Sequence, residues 1–223
     1  MKPISTSLHH RILLPEQTTV ERHPALILLH GRGADEEDLI GLVQLFDPRF
    51  LILSPRAPFP YYGSGGFTWY DVGMIGAPEP TMFKKSCDAL STFIDDSLAS
   101  YPIDPHRVFL LGFSMGTVMA YAMALSQPQL FRGVVANSGY VPEGTHLTLR
   151  WGDLSSVKFF MTHGTLDPVI PIDFARRAKR MFETAVANLI YREYPVAHQM
   201  SEEGIAEVSA WMTGLIDEER TVT

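Results

Sequence analysis

The chain has 223 residues, 46% of them hydrophobic, a formal charge of −7 and a single cysteine. That is enough apolar material for one domain over 1–223 with a large core, whereas the acidic balance excludes a nucleic-acid-binding surface, because phosphate neutralisation needs a basic face. A lone Cys87 excludes a disulfide scaffold; the opening residues 1–7 lack an apolar signal segment and no apolar run reaches membrane-span length, so a cytoplasmic protein without integral membrane association is expected.

In chain order, residues 4–14 read as an edge strand stopped by Pro15. Residues 25–29 are a continuous apolar run, as expected of a strand covered on both faces, and it breaks at His30-Gly31-Arg32-Gly33. The acidic segment Asp35-Glu36-Glu37-Asp38 opens a predicted helix through Phe46. Residues 50–53 are the next strand, followed by a Pro-, Gly- and aromatic-rich loop from Ser54 to about Pro80, long enough to carry function. Glycines at 63, 65 and 66 suggest that this loop forms a movable rim. Residues 81–100 follow a helical period with Phe83, Cys87, Leu90, Ile94 and Leu98 on one face. Cys87 is therefore core filler rather than a nucleophile.

Residues 107–111 form a buried strand that runs into Gly112-Phe113-Ser114-Met115-Gly116, and residues 118–125 form a helix of small and apolar side chains. Further strands are expected at 133–136 and 157–161. A helix through 172–187 buries Phe174, Ala178, Met181, Phe182 and Ala185 and presents Arg176, Arg177, Lys179 and Arg180 to solvent. A last strand spans 189–194, and an amphipathic helix over 201–217 turns Ile205, Val208, Met212 and Leu215 inward. Strands alternating with helices predict an α/β fold, with a mainly parallel sheet covered by helices on both faces. Chemistry in such sheets sits at the carboxyl ends of the strands.

The G-x-S-x-G stretch has a physical reason. A strand that turns into a helix within two residues strains the central residue and exposes its side chain. Gly112 and Gly116 let strand and helix pass closely. Ser114 then sits at a helix N-terminus, where free N–H groups favour developing negative charge. A serine hydroxyl needs a base in hydrogen-bond reach, and histidine titrates near working pH. Of the eight histidines, His9, His10 and His23 precede the core, His106 starts the nucleophile strand at the wrong end, and His146 lies in an irregular segment. His30 and His163 stand at strand ends but read as side chains that pin loops. His198 follows the last strand and completes the chain order Ser…Asp…His. Asp167, in a turn straight after a strand, is the acid expected to orient it. Asp153 precedes that strand and Asp173 lies inside the next helix. The oxyanion calls for two backbone donors: the N–H of Met115, and the N–H of Arg32 in the early Gly31-Arg32-Gly33 loop. That loop is no phosphate cradle, since the third glycine is absent and four carboxylates follow. Phe67, Trp69 and Tyr70 read either as core plugs or as the wall of a substrate pocket.

Together, LHGRG (29–33), SPRAPFP (54–60), WYD (69–71), GFSMG (112–116), HGTLDPVIP (163–171) and AHQM (197–200) make the chain similar to the phospholipase/carboxylesterase family of α/β-hydrolases, which includes the acyl-protein thioesterases. The resemblance implies an α/β-hydrolase fold, Ser114, Asp167 and His198 as triad, and the backbone of Arg32 and Met115 as oxyanion hole. There are two departures from the family pattern: Met115-Gly116-Thr117 where acyl-protein thioesterases typically have Gln and then Gly-Gly, and Arg32 where relatives often have Leu. The expectation is a serine carboxylesterase acting on short-to-medium acyl esters or thioesters, with no cofactor, no metal and no separate cap domain. A peptidase on the same triad and a non-catalytic binding protein are the alternatives. The partner is a small-molecule ester, and the sequence is compatible with a homodimer.

Overall fold

The structure, a computed structural model, describes residues 4–15, 20–63, 65–185 and 187–218. The amino-terminal residues 1–3, and Val186 in the helix expected to reach 187, lie outside the described residues.

The main sheet takes its strands from β1 (His10–Leu13), β2 (His23–Leu29), β3 (Leu51–Pro55), β8 (Ile103–Phe113), β9 (Gly133–Asn137), β10 (Lys158–Gly164) and β11 (Asn188–Tyr194), in the order β1-β3-β2-β8-β9-β10-β11. β1 is antiparallel to β3 at one edge. The other pairs are parallel. Burial explains why β2 reads as an unbroken apolar run. Ala25, Ile27 and Leu29 face one core, with Phe83 and Leu90 of α1 (Pro80–Ser100), Val118 of α2 (Met115–Ser126) and Phe182 of α3 (Ile172–Thr184). Leu26 and Leu28 face the other, with Leu39 and with Val208 and Met212 of α4 (Glu202–Asp217). The period-two alternation of a strand is present, but both phases are buried. Fully burying each such side chain contributes about 1.5–3 kcal/mol.

Two expected elements differ in form. The helix expected from Asp35 to Phe46 is a 3₁₀ helix over Asp38–Leu45, preceded by a turn in which Asp35 Oδ1 accepts the Glu37 N–H at 2.9 Å. Gly41, a poor helix former, sits inside it. The 54–80 segment is not structureless. It folds into two small hairpins, β4 (Phe59–Pro60) with β5 (Phe67–Thr68) and β6 (Val72–Met74) with β7 (Ala77–Pro78).

Nor is its rim loose. Phe67 N–H donates to the Ala34 carbonyl and Gly33 N–H to the Phe67 carbonyl, both at 2.8 Å. Gly66 is needed there because a Cβ would run into the Gly33 carbonyl. The glycine taken as a sign of mobility instead permits close backbone contact. α1 follows directly, with Glu79 accepting the Thr81 and Met82 N–H groups as its cap and Pro80 in its first turn. Among the described residues no helix is long and apolar enough to cross a membrane.

Candidate active site

β8 ends at Phe113 and α2 begins at Met115, which leaves Ser114 alone to make the turn. Its backbone sits at φ 54°, ψ −116°, a region that L-residues avoid. The surroundings hold it there. Ser114 N–H donates to the Asn137 carbonyl at 2.9 Å, and Thr117 Oγ1 donates to the Gly112 carbonyl at 2.7 Å. A Cβ on Gly116 would collide with the Leu29 carbonyl, and one on Gly112 with the Gly116 carbonyl. Both glycines are thus required by close packing. α2 is buried along nearly its whole length, Met115 to Leu125, so its N-terminus cannot drift.

Asp167 and His198 come from the loops after β10 and β11, which run parallel as neighbours. The two loops are tied by Thr165 N–H to the Tyr194 carbonyl at 2.7 Å and by Leu166 N–H to the Val196 carbonyl at 3.1 Å. Asp167 Oδ1 accepts the Val169 and Ile170 N–H groups at 2.8 and 2.9 Å. Its Oδ2 lies 2.7 Å from His198 Nδ1, and the carboxylate is fully buried. A carboxylate accepts only, so His198 carries its proton on Nδ1 and offers a lone pair at Nε2. Ser114 Oγ stands 2.9 Å from that nitrogen, within donating distance. The His198 side chain is 17% exposed and lies 5.1 Å, ring to ring, from Phe113. Three residues far apart in the chain therefore form one hydrogen-bonded line from carboxylate to hydroxyl.

The other candidates lie elsewhere. Asp153 pairs with Arg150 in a 3₁₀ turn at Trp151–Ser156, and Asp173 is in the first turn of α3. His30 is buried, and burial lowers its pKa. Its Nδ1–H donates to the Gly31 carbonyl at 2.7 Å while Nε2 accepts the Ala57 N–H at 3.0 Å, so it pins two loops together. Burial also lowers the pKa of His163. Its Nε2–H donates to the Ile170 carbonyl at 2.8 Å and lies 3.4 Å from Asp167 Oδ2.

A cleft of about 90 Å³ opens beside Ser114, and both Arg32 and Met115 line it. Its walls are Val72, Ile75, Val169 and Ile170 with the rings of Tyr70 and Tyr140, whose hydroxyls lie 3.1 Å apart. Of the three aromatic residues read as a wall or as plugs, Tyr70 lines the cleft. Trp69 is wholly buried, and its indole N–H donates to the His30 carbonyl at 3.0 Å. Phe67 packs its ring under Arg56, 4.4 Å from the guanidinium carbon. Tyr140 and the aliphatic wall were not read from the sequence. Tyr140 had one available signal, its place just past the carboxyl end of β9. A larger cleft of about 680 Å³ runs along α3 beside Trp151 and shares no residue with the serine–histidine–aspartate line. Among the described residues no group of three His, Cys, Asp or Glu side chains could hold a metal ion.

A mostly parallel sheet covered on both faces, with a strained serine between strand and helix and a histidine and an aspartate on later loops, defines the α/β-hydrolase class. The sequence profile described as Phospholipase/Carboxylesterase matches residues 13–216, and the chain belongs to that family. It is 30% identical over 213 residues to an acyl-protein thioesterase 1 of Candida albicans, covering 86% of this chain and 92% of that one. To the acyl-protein thioesterase 1 of Debaryomyces hansenii it is 29% identical over 203 residues, covering 82% and 87%. The fold matches that of a carboxylesterase from Bacillus cereus with a TM-score of 0.82 at 22% identity, over 93% of this chain and 94% of that chain.

Proposed function

We propose that the protein hydrolyses carboxylic esters of short-to-medium acyl groups, and the matching thioesters, through an acyl-enzyme on Ser114. The observation that carries this reading is the unbroken line Asp167 Oδ2, His198 Nδ1, His198 Nε2, Ser114 Oγ, with both contacts within 2.9 Å. His198 Nε2 takes the hydroxyl proton as Oγ bonds to the substrate carbonyl carbon. The N–H groups of Met115 and Arg32 hold the resulting oxyanion. Asp167 stabilises the imidazolium and keeps the ring oriented without taking its proton. When the intermediate collapses, the carbon–alcohol bond breaks and His198 passes its proton to the departing oxygen. Water then attacks the acyl-enzyme along the same route, and Ser114 regains its proton.

The size of the cleft supports the acyl-length part of the proposal. About 90 Å³ is well below the ~300–1,000 Å³ of pockets that take drug-sized ligands. Each buried methylene adds about 0.8 kcal/mol, so kcat/KM should climb with acyl length and then fall once the wall is met. The test joins two measurements. A fluorophosphonate probe should label Ser114 in the folded protein, and a series of p-nitrophenyl esters should show a maximum at short-to-medium chains. Absence of labelling would favour a binding protein, and a steady rise into long acyl chains would overturn the size argument.

A further inference from the structure

Besides Ser114, the cleft is apolar except for two sets of side-chain groups that the hydrolytic steps do not use. The first is the pair of hydroxyls on Tyr70 and Tyr140, with the two residues 0% and 5% exposed. Their 3.1 Å contact consumes one of the two hydroxyl protons, whichever residue donates. The Gly76 backbone amide near the Tyr140 hydroxyl is itself a donor and uses no proton. One buried O–H is thus left without a protein acceptor among the described residues, and a buried donor of this kind calls for a partner. Burial raises the pKa of both tyrosines, so they stay neutral donors.

The second feature is Arg32. It is exposed at the cleft's edge, and among the described residues it pairs with no carboxylate. Its guanidinium instead lies against the Tyr61 ring, 5.4 Å from the centroid. Three of the four carboxylates that follow it in sequence are engaged elsewhere: Glu36 on Arg56, Glu37 on Arg11, and Asp35 on the Glu37 N–H. Among the described residues no acidic side chain lines the cleft.

We propose that Arg32 and the Tyr70–Tyr140 hydroxyl pair form a carboxylate subsite beside Ser114, so that the preferred substrate is a compact ester carrying a carboxylate a few bonds from the scissile carbonyl, such as the half-ester of a short dicarboxylic acid. The inference rests on the ester-hydrolase reading above. A planar guanidinium and one O–H match a planar two-oxygen acceptor, and charge-assisted bonds of this kind are about twice as strong as neutral ones. The formal charge of −7 opposes an anion at long range, but that repulsion is screened beyond about 10 Å at 0.1 M salt while the contact at Arg32 is direct.

The experiment compares kcat/KM for monoethyl succinate with that for ethyl 4-methylpentanoate, its neutral analogue in shape, following proton release. The wild type should prefer the half-ester by about tenfold or more. Arg32→Ala should bring the ratio to near one, Arg32→Glu should reverse it, and Tyr70→Phe/Tyr140→Phe should lower it. Each ratio is taken within one protein, so a general loss of oxyanion stabilisation cancels. Hydrolysis of both esters with no preference, or a preference that survives Arg32→Ala, would overturn the subsite. Failure to hydrolyse either ester would overturn the ester-hydrolase reading instead.

Discussion

The Ser114 elbow and the 54–80 loop face each other across one cleft, yet they are held in different ways. At the elbow, a short motif is clasped between adjacent strands: Gly112 and Gly116 admit the approach of strand and helix, Thr117 bonds back to Gly112, and Ser114 N–H reaches the Asn137 carbonyl. In the loop, partners come from elsewhere in the chain. Trp69 bonds to His30, Phe67 pairs with Ala34, and Ala57 donates to His30. One side of the cleft is thus set by a compact motif within the main sheet, and the other by irregular backbone that depends on long-range contacts.

The largest effect should come from the reactive centre itself. Ser114→Ala should lower ester kcat by about 10⁶ and Asp167→Asn by about 10⁴, on the scale of other serine triads. Thermal melts should remain cooperative, because neither change opens a cavity. An Asp167→Asn protein with most of the wild-type rate would move the acid elsewhere and break the assignment of the elbow as the catalytic half.

The next test sets one glycine against another. Gly116→Ala pushes a methyl into the Leu29 carbonyl beneath a fully buried helix, and should cost more than about 3 kcal/mol in denaturant titrations. Gly66→Ala meets the Gly33 carbonyl, but in a small hairpin outside the main sheet, where the loss stays local. A cost nearer 1 kcal/mol with an altered acyl-length profile is expected there. Equal losses would show the loop to be as rigid as the elbow.

A smaller effect is expected from pH. Burial holds His30 and His163 below the usual histidine range in the folded state. The unfolded chain, titrating near 6.5, binds more protons below that pH, so stability is fully present above about 6.5 and is lost as pH falls through and below it. The loss is at most about 1.4 kcal/mol per pH unit for each histidine. Urea midpoints at pH 7.5 and 5.5 should show the drop, and His163→Gln should reduce it, leaving the His30 share. A midpoint unchanged between the two pH values would contradict neutral burial. The smallest effect concerns Cys87, whose thiol is pushed up to about 12 by burial in α1. Iodoacetamide should leave the rate of the native protein unchanged, and rapid stoichiometric inactivation would sink that reading.

The sequence by itself determined the alternation of strands and helices, the elbow at Ser114 and the placing of Asp167 and His198 at strand ends. Each depends on local periodicity or on chain order, which parallel topology converts into neighbouring loops. The 3₁₀ form of Asp38–Leu45, the hairpins within 54–80 and the burial of Trp69 were decided only by tertiary structure. The same holds for Tyr140 in the cleft wall and for the tautomer of His30, which its bonds to Gly31 and Ala57 select. The physical reason is common to them all. Irregular backbone has no repeat to betray it, and its hydrogen-bond partners lie on segments that only the folded sheet brings near.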